Sequence, residues 1–84
     1  MTDFEEMIKG SSLDFKFQLL SRMKMDCNYF LGAGHRHAKC LWAEDVKTQL
    51  KYMRYIWESL PKNQKPEWLT LDDITRYERL MTSK

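Results

Sequence analysis

The sequence predicts a small all-α domain of three helices, with room for an extra N-terminal helical turn. Three observations predict it. Apolar residues recur at three- and four-residue steps over two long stretches. Gly and Pro are scarce, 3 and 2 of 84 residues, which disfavours a many-turned β fold. No segment alternates apolar and polar residues with the period of a strand.

Residues 2–9 carry Phe4, Met7 and Ile8, enough apolar spacing for a turn or two of helix, which Gly10 stops. Residues 1–10 are read as an N-terminal segment holding this short helix, and residues 11–84 as a single helical domain. Ser11-Ser12 then offers an N-cap, with Asp14 in the first turn where the helix dipole favours negative charge. Leu13, Phe17, Leu20, Cys27 and Leu31 follow on one face, and Leu19, Met23 and Phe30 widen it, predicting a helix over about 12–31. Gly32 is placed to end it in a left-handed cap. Gly32-Ala33-Gly34 is the one glycine-rich point, and it reads as a turn between helices.

The second helix spans 44–60. Val46, Leu50, Met53, Trp57 and Leu60 repeat on one face, and Glu44 and Asp45 fall at its start. Pro61 stops it, because the ring excludes the α region for the residue before it. After a loop holding both prolines, Thr70 and Asp73 form a variant capping box. Leu69 and Ile74 are placed for a hydrophobic staple, and Ile74, Tyr77 and Met81 stripe a third helix over 71–81. Trp57 reads as core, while Trp42 and Trp68, just outside helices, read as loop staples whose N–H groups reach backbone carbonyls.

Charge is unevenly spread. Residues 1–14 hold four acids and one base, residues 15–54 eight bases and three acids, and residues 55–84 five of each. The cationic middle favours an anionic partner, nucleic acid or an acidic protein surface, over a role as an acidic DNA mimic. No apolar run approaches the roughly 18 residues that span a bilayer, so no membrane role is expected. No basic stretch leads into an apolar one as a secretory signal requires, and two Cys in such a chain read as reduced thiols. The expected setting is cytoplasmic.

Within the basic block, Lys47, Lys51 and Arg54 line one flank of the second helix, and Arg36 and Lys39 precede it. With Tyr52 and Tyr55 on other faces of the same helix, these five cations form the candidate surface for phosphate contact and base stacking. Cys27, His35, His37 and Cys40 are all legitimate zinc ligands, but their C-x7-H-x-H-x2-C spacing is not a standard knuckle, and Cys27 falls on the apolar face. No metal or other cofactor is therefore assigned. No Ser or Cys stands with a His and an acid at a recognised catalytic spacing, and the Gly32–Gly34 turn lacks the preceding strand and following Gly-Lys-Ser/Thr of a nucleotide loop. A non-enzymatic protein is expected.

Four runs in one order carry a family resemblance: Leu20-Ser21-Arg22-Met23-Lys24, the Gly32–Gly34 turn, Arg36-His37-Ala38-Lys39-Cys40-Leu41-Trp42, and Pro66-Glu67-Trp68-Leu69-Thr70. Over about residues 13–81 the chain resembles the large polyvalent protein-associated domains of the eleventh class. That resemblance implies a helical accessory module encoded by plasmids, conjugative elements or phages of a bacterial host, with no catalytic residue set to carry over. The functional expectation is an interaction module that binds nucleic acid or a host nucleoprotein through residues 36–54. The alternatives are an anti-defence protein (an anti-CRISPR or antirestriction inhibitor) that binds a host protein, and a structural or dimerising domain, with Phe4, Tyr29 and Tyr55 as candidates for its apolar patch. Either a monomer or a homodimer fits.

Overall fold

Four helices, rather than three and a turn, make up the computed structural model, which describes residues 3–32, 37, 39 and 41–82. They are α1 (Asp3–Lys9), α2 (Leu13–Leu31), α3 (Val46–Ser59) and α4 (Leu71–Thr82), with a 3₁₀ turn at Lys62–Gln64. No strand occurs among the described residues.

The caps form as the sequence dictates. The Ser12 hydroxyl accepts from the Phe15 N–H at 3.1 Å and opens α2. The Asp45 carboxylate accepts from the Thr48 N–H (2.9 Å) and hydroxyl (2.7 Å), and those bonds hold its acidity stronger than an ordinary carboxylate's. Thr70 and Asp73 exchange both bonds of the capping box, at 3.0 and 3.2 Å. One ending differs from expectation. Gly32 closes α2 at φ −111°, not in the left-handed region, by aiming its N–H at the Asn28 and Tyr29 carbonyls. The left-handed residue is instead Glu44, at φ 57°, where the chain swings into α3. A side-chain-bearing residue adopts that region at a cost of about 1–2 kcal/mol.

Helix α3 is central and packs against each of the other three. Its fully buried residues are Gln49, Leu50, Met53 and Ile56, and they meet Leu19, Leu20, Met23, Cys27 and Phe30 of α2 and Ile74, Tyr77 and Met81 of α4 in one core. On α2, Leu20 and Cys27 of the expected stripe and Met23 beside them are its deepest part, while Leu13, Phe17 and Leu31 are partly buried at its margin. Trp57 is corrected from the core to its edge. It is half-buried, its indole N–H donates to the Leu69 carbonyl at 2.9 Å, and Lys65 Nζ lies 4.3 Å from the ring centroid. Trp57 thus makes the indole-to-carbonyl bond expected of Trp42 and Trp68, which are 38% and 42% exposed. The same Lys65 ammonium donates to the Trp57 and Leu60 carbonyls, both at 3.0 Å, where a helix C-terminus favours a cation.

The N-terminal helix belongs to this core. Phe4 and Ile8 are buried, and the Phe4 ring stacks on Tyr52 at 3.7 Å, with Trp42 edge-on to both. No helix of the described residues is long and apolar enough to cross a membrane.

Candidate interaction surfaces

The five cations singled out by sequence do not form one free surface. Lys39, Lys47 and Lys51 are exposed. Arg54 is engaged: its guanidinium reaches both Glu78 carboxylate oxygens at 3.2 and 3.3 Å and the Thr75 hydroxyl at 3.3 Å, a bidentate pairing that ties α3 to α4. Arg36 lies outside the described residues. The aromatic half of the expected stacking surface is occupied as well. Tyr52 is covered by Phe4, and the Tyr55 hydroxyl donates to the Glu5 carbonyl at 3.4 Å. Both tyrosines of α3 therefore dock α1, for a reason invisible in the α3 sequence: α1 supplies the opposing face.

Of the four metal candidates, Cys27 and His37 lie within the described residues. Cys27 is fully buried, with its thiol 3.6 Å from the Met53 sulfur, and burial pushes its pKa from an ordinary 9.0 up to about 12. A thiolate ligand would have to form in the apolar core. His37 is exposed on the surface, and His35 and Cys40 lie outside the described residues. No group of three or more metal-ligating side chains occurs among the described residues. The Cys27 geometry fixes a pH effect. The unfolded thiol ionises near its ordinary pKa and the folded thiol near 12, so the unfolded chain sheds its proton first. The contribution of Cys27 is complete below about pH 9 and falls as pH rises toward 12. Stability of Cys27→Ala subtracted from wild type should show that decline in urea titrations across alkaline pH, and a flat difference would refute it.

Sequence reasoning passed over a different set of residues. Phe15 falls off the inward stripe of α2 and is 41% exposed. Beside it stand Met7 of α1, 40% exposed, and Trp42. These three, with Gln18, Leu19 and Arg22, line an open groove of about 250 Å³ between α1, α2 and the segment leading into α3. Leu19 is buried at 7% exposure, so the groove has an apolar lining that reaches the core. The Trp42 wall is held from two sides. Its ring packs edge-on against Phe4 and Tyr52, and its backbone N–H donates to Asp26 Oδ2 at 3.1 Å. Burial lifts the Asp26 carboxyl above the ordinary range, opposed by the positive charge of Arg22 and by the Trp42 N–H. Further along α2, Met25 (66%) and Tyr29 (54%) extend the exposed apolar strip. Of the three patch candidates read from sequence, Tyr29 alone is exposed; Phe4 is buried and Tyr55 partly so. The readable signal was the apolar residues of α2 left over after its core face was assigned.

With this geometry in view, the comparisons with known proteins are few. The family model of large polyvalent protein-associated domain 11 matches residues 13–81. No curated protein and no solved structure is significantly similar to the chain.

Proposed function

The chain belongs to the large polyvalent protein-associated domain 11 family, and from that premise we propose that it is a non-enzymatic interaction module of a mobile genetic element that binds a protein partner. The observation that carries this reading is the exposed apolar strip: Met7, Phe15 and Trp42 around one groove, continued by Met25 and Tyr29 on α2. Large apolar side chains gathered on one face of a small folded domain mark an interaction surface more often than a solvated one. The thiol weighed as a metal ligand and two acids at helix starts have structural work. Asp45 and Asp73 cap helices, and Cys27 packs in the core.

Photo-crosslinking in a bacterial host tests the reading. A photoreactive residue at Phe15, Trp42, Met25 or Tyr29 should yield discrete protein adducts, while one at Lys39, Lys47 or Lys51 should yield none. Adducts to nucleic acid from the lysine positions, with none from the apolar ones, would overturn it. An anti-defence role is the form this reading takes if the adduct is a host defence protein.

A second reading, contact with nucleic acid, retains support from the exposure of Lys39, Lys47 and Lys51. With Arg54 bound to Glu78, those three cations could neutralise at most about three phosphates, giving a salt slope no steeper than roughly −3 on duplex DNA. Gel retardation should therefore show little binding near physiological salt. The diagnostic variant is Lys39→Glu/Lys47→Glu/Lys51→Glu, because Arg54→Glu would set a carboxylate against Glu78 and disturb the fold. A slope steeper than −3 that this variant abolishes would favour the nucleic-acid reading.

A further inference from the structure

We infer that α1 is an acidic cover over a binding face of α3, and that single-stranded nucleic acid takes its place there. This goes beyond the protein-partner reading, which rests on the apolar strip of α2. The contact between α1 and α3 has the composition of such a complex. The Phe4 ring lies flat on Tyr52, with centroids 3.7 Å apart and planes 5° from parallel, as a base lies on an aromatic platform. The Tyr55 hydroxyl donates to the backbone of α1 at Glu5. Glu5 stands with Lys51, Arg54 and both tyrosines around a cleft of about 290 Å³. The first turn of α1 gathers Asp3, Glu5 and Glu6, while α3 presents Lys47 and Lys51 to solvent. A ring and carboxylates on α1 thus occupy the places of a base and its phosphates. Arg54 takes no part in the exchange, since Glu78 holds it.

Of the four helices, α1 is the one built to lift. It has seven residues, too few for a helix to hold itself in water, and its buried residues are Phe4 and Ile8. Those two side chains keep it closed when nothing competes. A nearly face-to-face pair of benzenoid rings is less favoured than an offset or edge-on one, so the Phe4–Tyr52 contact exchanges the more easily. Ser12 caps α2 with its own hydroxyl, so the first turn of α2 survives when α1 leaves. Local opening of this kind takes less free energy than global unfolding. It uncovers Tyr52 and Tyr55 next to Lys51, and it carries away three carboxylates that repel phosphate.

The test uses the full chain and a short fluorescent oligothymidylate at low ionic strength. In the wild type, saturation with the oligonucleotide should quicken hydrogen exchange across Asp3–Lys9 and slow it around Tyr52 and Tyr55. Phe4→Leu keeps the site apolar and removes the stack. It should raise affinity about two- to tenfold, the worth of one aromatic pair, because the open form is more populated. Circular dichroism verifies that the variant folds. Lys51→Glu added to Phe4→Leu should remove the binding, and binding that survives it would overturn the proposal. A purely ionic contact with the exposed lysines would ignore Phe4→Leu, a change without charge, and would leave exchange in α1 unaltered; either result overturns it. Absence of binding by the wild type and by Phe4→Leu, or by the wild type alone where the variant does not fold, overturns it as well. Sedimentation gives the remaining outcome: concentration-dependent dimers of Phe4→Leu would assign the face to the α1 of a second copy and overturn the nucleic-acid assignment. Crosslinks from Met25 and Tyr29 are read on α2, so the protein-partner reading stands or falls separately.

Discussion

Leu50→Ala is expected to cost about 3–5 kcal/mol, through lost burial and the cavity left behind. Leu50 is fully buried on α3, the helix that packs on every other one, so little of the surrounding structure can move in to fill the space. At about 0.05–0.15 kcal/mol per residue, a domain of this length has roughly 4–13 kcal/mol in all. The variant should therefore lose roughly a quarter of its stability or more and be partly unfolded at ambient temperature if the total lies at the low end. Urea denaturation should show a shifted midpoint and an unchanged slope. Met25→Ala is the control: at 66% exposure it should stay within about 0.5 kcal/mol of wild type. Comparable losses for the two would mean that the packing described here is wrong.

Gln49→Glu should cost as much, and in a pH-dependent way. Among the described residues, Gln49 is the one buried polar side chain of the core. Its carbonyl oxygen accepts from the Ala43 N–H at 2.9 Å, and its amide donates to the Met23 carbonyl at 3.3 Å, linking the segment before α3 to α2. A carboxylate can still accept from Ala43, but its second oxygen would face the Met23 carbonyl with no proton to give. At neutral pH that leaves a buried, half-satisfied charge, worth about 3–5 kcal/mol of lost stability. Protonation restores a donor, so burial raises the folded pKa of the new acid above its unfolded value. By linkage the variant is nearest to wild type below the unfolded carboxyl pKa and loses stability as pH rises through the folded one. Melting temperatures of variant and wild type should converge on acidification. A gap that stayed constant or widened toward acid would show that Gln49 is not held as described.

Both predictions concern residues on the same helix, and they differ in how visible they were. Leu50 is legible in the sequence, because its spacing from Val46, Met53 and Leu60 marks a single apolar face. Gln49 is not. A glutamine beside an apolar stripe normally points to water, and only the position of Ala43 and of the Met23 carbonyl gives its amide two partners. Ile56 was overlooked in the same helix for a related reason. The stripe read from sequence was one residue wide, whereas α3 is buried on a broad arc by neighbours on three sides.

The sequence by itself determined the helical class, the approximate helix limits and their N-terminal caps. Those features depend on residues within a turn of one another: Ser12 on Phe15, Asp45 on Thr48, Thr70 on Asp73, and Pro61 on the residue before it. Tertiary structure alone decided which polar and aromatic side chains remain free. Arg54 looked available until α4 brought Glu78 to it, Tyr52 until α1 laid Phe4 across its ring, and Phe15 became part of a groove once Met7 and Trp42 arrived beside it. Each of those pairings joins residues far apart in the chain. Helical periodicity specifies which way a side chain faces on its own helix; it carries no information about what another helix places there.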